Sequence, residues 1–288
     1  MRTLFHAGVA PLLSLCKTEH HLDILYPNMY FRTMGWWQKV TTGLSAAAVS
    51  VPFSARKARI WWRGNSGVTW PASRPRVVTV SRWFSRPWAD FAFTNQWPSV
   101  VKSWRQNPRL AKRVPRNAGE IPFGADKRSP ITGVARYRYA LQLPGSFSGT
   151  YSRALQFLLW TGAAVFMYDC PYYEFYYHHL TPWVHFVPVN HDTLGERMEW
   201  ATRHPTLVEG IAAAAGGVAR AYLTPEYIAR YWKQLLDEYA ALQRFDVKLP
   251  RGACTCWRGD QDVPPPSLPR EVKKCPHLCE AVAFLRGV

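Results

Sequence analysis

The chain has 288 residues and a formal net charge of +17 at pH 7; 15% of its residues are aromatic and 19% are charged. This composition excludes an intrinsically disordered protein, and the length allows one large or two small domains with hydrophobic cores. The positive charge indicates an anionic partner, which can be a polyanion, an acidic membrane surface or a phosphorylated ligand.

The N-terminal residues have two interpretations. Residues 1–16 contain one arginine and a short apolar stretch, which is compatible with a weak signal peptide. Alternatively, residues 12–18 already belong to the folded domain, which is the interpretation we favour. No apolar run of about 18 residues occurs in the sequence, so no membrane span is predicted.

Aromatic residues accumulate in residues 23–37. Tyr26 lies in the sequence Asp-Ile-Leu-Tyr-Pro, and four more aromatic residues follow: Tyr30, Phe31, Trp36 and Trp37. Such a cluster usually forms part of a core, but aromatic faces also bind sugar rings and acceptor peptides. Both interpretations stay open at this stage.

The next segment is strongly basic. Residues 60–66, Ile-Trp-Trp-Arg-Gly-Asn-Ser, predict a buried strand and a polar turn. The wider segment 56–116 holds fourteen Lys or Arg and one acid, Asp90. Tryptophans are interleaved with these cations, as in proteins that stack nucleic-acid bases, but no nucleic-acid motif accompanies them. We expect a solvated basic surface around a ligand cleft, with nucleic-acid binding as the alternative.

The segment 136–189 organises the chain. Residues 137–143 alternate apolar and polar side chains and predict a half-buried strand. After a loop of small and hydroxylated residues, residues 153–160 carry apolar side chains at helical spacing. Gly162 then lies where a helix end favours positive φ. Residues 163–168 are a short apolar run, which is typical of a buried parallel strand.

This order of strand, loop and helix predicts an anion site. Backbone N–H groups and the positive end of the helix dipole would face a ligand above the loop. Arg153 in the first helical turn is unfavourable for the helix by itself, and a bound diphosphate would reverse that effect. The alternative is a solvated arginine on an ordinary turn.

Residues 172–183 form an aromatic stretch with a single acid, Glu174. Three histidines lie in or near it: His178, His179 and His185. Histidines and a carboxylate can bind a metal, but adjacent histidines diverge from each other. We therefore expect a structural or cleft-lining role, and no metal site.

The C-terminal part begins with a predicted helix that has Thr224 as N-cap and Pro225 at its first position. We expect its apolar face to pack across both halves of the fold. Residues 248–288 contain four cysteines, Cys254, Cys256, Cys275 and Cys279. These cysteines can form disulfides or bind zinc.

Together these motifs resemble the CAP10 domain of family 90 glycosyltransferases, which includes protein O-glucosyltransferases and capsule-associated xylosyltransferases. The resemblance extends over about residues 13–245. It is carried by residues 16–18, 23–27, 62–64, 137–139, 145, 152–153, 162, 174–175, 180–189, 200–201, 223–225, 231–232 and 235–239.

The resemblance implies an α/β fold of the GT-B type, with a Rossmann-type parallel sheet flanked by helices and an incomplete N-terminal half. It divides the chain into a remnant of the acceptor-side domain (residues 1–55), a donor-binding domain with a terminal helix (56–247) and a tail with cysteines and prolines (248–288). It also implies a monomer in the lumen of the endoplasmic reticulum or Golgi, where disulfides are favoured over zinc.

The resemblance further implies transfer of glucose or xylose from a UDP-sugar to a hydroxyl of a protein or glycan. Arginines would neutralise the leaving diphosphate with bidentate hydrogen bonds, without a metal or another cofactor. The implied donor-binding residues are Arg63, Ser66, Arg74, with Arg76 as the alternative to Arg74, Gly149, Thr150, Tyr151, Ser152, Arg153 and Glu174. Tyr26 and Trp36 are implied on the acceptor side, and Tyr137 and Tyr139 beneath the donor site.

The catalytic base is missing from this interpretation. An inverting transfer needs a carboxylate beside the acceptor hydroxyl, and the aspartate that serves in the relatives would lie upstream of Met1. We therefore expect either an N-terminally truncated enzyme or a divergent protein that binds a UDP-sugar or glycan without catalysis. The catalytic residue itself is unknown.

Overall fold

A computed structural model describes residues 12–31, 34–67, 70–95, 97–124, 131–145 and 152–242, together with the short strands Cys254–Thr255 and Lys273–Lys274. The chain divides into two compact units, Met1–Thr224 and Pro225–Val288. The three-part division that we made from the sequence stays a prediction.

The described strands of the first unit form a small pair and one larger sheet. The pair is β1 (Leu13–Ser14) and β2 (Ile24–Leu25). The sheet consists of β3 (Lys57–Gly64), β4 (Ala89–Phe93), β5 (Tyr137–Gln142), β6 (Ala164–Tyr168) and β7 (Val187–Val189). Its strands are all parallel and lie in the order β4-β3-β5-β6-β7.

Helices connect and flank these strands. The α-helices of the first unit are α1 (Met34–Ser50), α2 (Trp70–Trp83), α3 (Trp97–Gln106), α4 (Ala154–Leu158), α5 (Leu194–Arg203) and α6 (Pro205–Tyr222). Short 3-10 turns occur at Met29–Phe31, Phe53–Ala55, Arg116–Glu120, Ile131–Arg136 and Tyr177–His179. The second unit contains α7 (Pro225–Leu242) and the parallel pair β8 (Cys254–Thr255) and β9 (Lys273–Lys274).

The predicted α/β class with a parallel sheet flanked by helices is confirmed. The strands expected at residues 60–66, 137–143 and 163–168 correspond to β3, β5 and β6, and the C-terminal helix begins at Pro225 as predicted. The helix expected over residues 153–160 is shorter, since α4 ends at Leu158. The N–H groups of Trp160 and Thr161 bond to carbonyls three residues back, which tightens the chain into turns.

The main core lies on one face of the sheet. Successive side chains of a strand point to opposite faces, so Trp62 and its neighbour Phe91 face the same layer. This layer continues through Phe166 of β6 and includes Val80 of α2 and Ile211 of α6. Each of these five side chains is at most 6% exposed. Helices α2 and α6 therefore pack against this face of the sheet.

The amino edge of β6 is held by Arg56 and Gly162. Arg56 is buried and donates hydrogen bonds to the carbonyls of Val51 and Thr161 at 3.0 and 3.1 Å. Gly162 has φ +66°, which confirms the predicted positive φ. A Cβ at Gly162 would lie 3.0 Å from Nη2 of Arg56. The turn therefore requires glycine for both its backbone angle and its close approach to Arg56.

Gly162→Ala is expected to lower the free energy of unfolding by about 1–2 kcal/mol, because alanine disfavours this φ and its methyl group would displace Arg56. The measurement is urea unfolding. Gly210→Ala in α6 is the matched control, since a Cβ there meets nothing within 4 Å. Unchanged stability of Gly162→Ala would contradict this account.

Candidate functional site

The strand order creates a crevice at one edge of the sheet. The chain runs from β3 outward to β4 and then returns past β3 to β5, so the direction of winding reverses between the neighbours β3 and β5. Ligands of open α/β sheets bind outside the carboxyl ends of the strands at such a switch point. The described residues that follow these two ends are 65–67 after β3 and 143–145 with 152–153 after β5.

The loop after β3 is held by side chains beneath it. Ser66 is fully buried; its N–H donates to Oδ1 of Asn95 at 3.1 Å, and Nδ2 of Asn95 donates to Oγ of Ser66 at 2.8 Å. Arg76 donates from Nη1 to the carbonyl of Asn65 at 2.6 Å. Ser66 therefore anchors the loop with its hydroxyl turned into the protein, and its contact with the donor stays a prediction.

Two arginines of α2 have different surroundings. Arg76 is 3% exposed, and burial lowers the pKa of its guanidinium to about 10, so it is still a cation at neutral pH. Arg74 is exposed. Burial raises the pKa of Tyr168 at the end of β6, and the charge of Arg74 acts in the opposite direction. Arg74 is the fifth residue of α2, the helix that follows β3, so it lies near the carboxyl end of that strand.

The same edge holds Ser152 and Arg153, which follow β5 in the chain. The carbonyl of Ser152 accepts a hydrogen bond from Nε2 of Gln142 at 3.2 Å, which ties the loop to the last residue of β5. Arg153 is exposed, and its guanidinium carbon lies 4.6 Å from the ring centroid of Tyr30. The predicted donor-binding residues Gly149, Thr150 and Tyr151 lie outside the described residues.

A small cavity lies beside this loop. Its volume is about 10 Å³, enough for about one water molecule. It is lined in part by Gln142, Ser152, Tyr168 and Tyr177. The cavity therefore lies between the carboxyl ends of β5 and β6, next to the residue that precedes Arg153.

Arg63 is engaged within the protein. Its Nη2 lies 2.6 Å from Oδ1 of Asp90, and the two side chains are 15% and 21% exposed. Burial alone would raise the pKa of Asp90, but hydrogen bonds from Tyr137 and Arg63, together with nearby positive charge, lower it overall. Tyr137 donates its hydroxyl to Oδ2 of Asp90 at 2.6 Å. Arg63 and Tyr137 thus satisfy one half-buried carboxylate.

Glu174 belongs to a buried network. It is 1% exposed and accepts hydrogen bonds from Nδ2 of Asn28 at 2.8 Å and from the hydroxyl of Tyr176 at 3.4 Å. Nδ2 of Asn28 also donates to Oε1 of Gln156 in α4, at 2.7 Å. Burial raises the pKa of Glu174 to about 8 despite these hydrogen bonds. The side chain is therefore mainly a neutral acid at pH 7, and the amide of Asn28 links it to α4.

The two predicted acceptor-side residues differ in exposure. Trp36 is 45% exposed, and its ring packs edge-on against Phe157 of α4 at 6.4 Å. The exposed ring of Trp36 thus lies beside Phe157, which follows Arg153 by four residues in the chain. Tyr26 is half-buried, and its N–H donates to the carbonyl of Ser14 at 3.1 Å, next to the β1–β2 pair.

Asn28, Gln156 and Asn95 were not singled out from the sequence. Asn28 is 1% exposed although it stands in an aromatic cluster, and a polar residue in such a cluster is the only local signal that could have indicated it. Its partner Glu174 is 146 positions away. No local pattern indicates a pairing over that distance.

The basic segment 56–116 does not present its described tryptophans as stacking platforms. Trp97 and Trp104 are buried, and Trp83 and Trp88 pack against the core. Exposed cations of the segment include Lys102, Arg105, Arg109, Lys112, Arg113 and Arg116. These exposed cations form a basic surface, and the absence of nucleic-acid binding stays a prediction.

Within the described residues, no three His, Cys, Asp or Glu side chains are grouped so as to hold a metal ion. None of the described helices combines the length and the apolar character needed to cross a bilayer. The side chains of the four C-terminal cysteines lie outside the described residues.

Arg63→Met is expected to lower the free energy of unfolding by about 1–3 kcal/mol, because it leaves the half-buried Asp90 carboxylate with fewer partners. Chemical unfolding measures this effect. Arg109→Met, at an exposed arginine, should change stability by less than about 0.5 kcal/mol. Equal effects of the two substitutions would show that the Arg63–Asp90 contact contributes nothing.

Glu174→Gln is expected to remove a pH dependence of stability. Folded Glu174 keeps its proton up to a pKa of about 8, whereas the unfolded side chain releases it near 4.5. The contribution of Glu174 to stability is therefore complete below pH 4.5 and decreases as the pH rises to 8. Unfolding of both proteins at pH 5 and pH 8 tests this: wild type should lose stability relative to the variant. Parallel pH profiles would contradict it.

The chain was compared with known sequences. A family model described as Glycosyl transferase family 90 matches residues 2–259. O-glucosyltransferase rumi homolog from Aedes aegypti is 25% identical over 253 residues, which are 83% of this chain and 58% of that protein. Protein O-glucosyltransferase 1 from Homo sapiens is 23% identical over 256 residues, 84% of this chain and 60% of that protein. The chain thus spans less than two thirds of the length of these relatives.

Among solved structures, Anabaena Alr3699/HepE in complex with UDP-glucose matches 68% of this chain and 53% of its own, with 12% identity and a TM-score of 0.43. A glycosyltransferase from Rickettsia africae ESF-5 matches 76% of this chain and 57% of its own, with 12% identity and a TM-score of 0.42. Since the family model covers most of its length, the chain belongs to glycosyltransferase family 90.

Proposed function

We propose that this chain binds a UDP-sugar at the switch point between β3 and β5 and supplies the donor site of a glycosyltransferase. The observation that carries the proposal is the position of Arg74 and Arg153 after β3 and β5, at the carboxyl edge of a doubly wound parallel sheet. Nucleotide ligands of such sheets bind at this edge. Membership of family 90, with relatives named as O-glucosyltransferases, supports a sugar as the transferred group.

The proposed chemistry is charge neutralisation. When a nucleotide sugar reacts, the glycosidic C–O bond breaks and negative charge develops on the leaving diphosphate. Guanidinium groups at fixed positions stabilise this charge through bidentate hydrogen bonds, which is the metal-independent part of the proposal. Arg153 and Arg74 are assigned this role, with Ser152 as a hydrogen-bond donor beside them.

Other predicted residues receive supporting roles in this proposal. Arg63 is bound to Asp90, so it stabilises the strand that carries the loop after β3. Ser66 holds that loop from below. Glu174 is enclosed by Asn28 and Tyr176 and supports α4 from within the fold. The assignment of ribose or sugar hydroxyls to Glu174 stays a prediction.

The acceptor is proposed to be a hydroxyl of a protein or glycan, and glucose or xylose the transferred sugar. Trp36 is the proposed contact for the acceptor or the sugar, because its exposed ring lies beside α4. Inversion at the sugar carbon would follow from in-line attack of that hydroxyl on the donor, assisted by a general base that we do not assign. The lumen of the endoplasmic reticulum or Golgi is the proposed location.

Calorimetric titration of UDP into the full chain, without added metal, tests the donor site. Saturable binding is expected, and Arg153→Ala should weaken it by more than tenfold, which corresponds to about 1.4 kcal/mol. Arg109→Ala is the matched control, since this exposed arginine lies outside the site.

Two results of that titration would overturn the proposal. One is the absence of UDP binding in a sample that is folded by circular dichroism. The other is equal weakening by Arg153→Ala and Arg109→Ala, which would indicate a nonspecific effect of net charge. UDP binding without transfer to any acceptor would instead favour the catalytically inactive binding protein.

A further inference from the structure

The position of the Arg153 guanidinium depends on a tyrosine from another part of the chain. Arg153 precedes the five-residue helix α4 and is exposed. Its guanidinium carbon lies 4.6 Å from the ring centroid of Tyr30, within the range of a cation–π contact. An exposed arginine otherwise samples many rotamers, and a ligand must restrict them on binding.

A contact with an aromatic ring does not use the N–H donors of an arginine. A guanidinium group that stacks on a ring uses its face, whereas its N–H donors lie in the plane of the group. Arg63 shows the contrasting case, because its Nη2 is directed at the carboxylate of Asp90. A ring therefore orders an arginine without occupying the donors that a diphosphate would need.

Tyr30 is itself fixed by the buried Asn28. Its N–H donates to Oδ1 of Asn28 at 3.0 Å. Nδ2 of Asn28 donates to Gln156 at 2.7 Å and to Glu174 at 2.8 Å. Gln156 lies in α4, three residues after Arg153, and is fully buried. One amide group thus joins the turn that carries Tyr30 to the helix that follows Arg153.

We infer that Tyr30 is a positioning residue for the donor diphosphate, which holds the Arg153 guanidinium in place before the nucleotide binds. This inference rests on the proposed function, because it takes Arg153 as the diphosphate ligand. Asn28 acts one step further away, since it fixes the turn that carries Tyr30. Preorganisation of this kind raises affinity by reducing the ordering that binding requires.

The test is a double-mutant cycle on UDP affinity, measured by calorimetry with the full chain. Tyr30→Leu should weaken UDP binding three- to tenfold, and Tyr30→Phe should stay within twofold of wild type because it keeps the ring. In an Arg153→Ala background, Tyr30→Leu should cause no further loss. A purely structural role of Tyr30 would instead give the same loss with or without Arg153.

A second variant covers the case in which Tyr30→Leu does not fold. Phenylalanine and pentafluorophenylalanine at position 30 have nearly the same shape, but fluorination removes the negative face of the ring. UDP affinity should fall from the first to the second, with similar melting temperatures. Equal affinities of these two proteins would overturn the inference.

Different results would contradict the proposed function and this inference. If wild type does not bind UDP, or if Arg153→Ala binds as well as wild type, the donor site is misplaced and the inference falls with it. If Arg153→Ala loses binding while Tyr30→Leu binds like wild type, only the positioning role of Tyr30 is overturned.

Discussion

A single buried amide, that of Asn28, connects the parts of the chain on which the candidate site depends. It bonds to Glu174 in the connection between β6 and β7, to Gln156 in α4 and to the backbone of Tyr30. In a low-dielectric interior an unsatisfied polar group is costly, so a network of this kind favours one arrangement of its segments over others. Two backbone hydrogen bonds between Lys17 and Tyr173, at 3.1 and 2.9 Å, also connect the N-terminal residues to the segment that contains Glu174.

Glu174 takes part in this network mainly in its protonated form. With a pKa of about 8, Glu174 is largely neutral at pH 7, which avoids the cost of a buried unpaired carboxylate. Asp90 is the opposite case: it is less enclosed, it accepts hydrogen bonds from Arg63 and Tyr137, and its pKa lies below the ordinary value. The same type of group is thus a neutral acid in one place and an ion in the other, because its partners differ.

Three arginines of the first unit have different contacts and therefore different roles. Arg56 bonds to backbone carbonyls at the amino edge of the sheet, Arg63 pairs with a carboxylate, and Arg153 lies over an aromatic ring. Of the three, Arg153 alone is exposed, and it lies at the carboxyl edge. In a family of glycosyltransferases, that edge is where a charged donor would be expected to bind.

The sequence by itself determined the α/β class, the strands β3, β5 and β6, the positive φ of Gly162 and the family. These features depend on local signals: apolar runs, turn residues and motif order. The tertiary structure decided the length of α4, the pairing of Arg63 with Asp90, and the contacts of Tyr30 and Asn28. Asp90 is 27 positions from Arg63, and Glu174 is 146 positions from Asn28. Such contacts form only when the parallel sheet brings distant segments together, so no local pattern of residues reveals them.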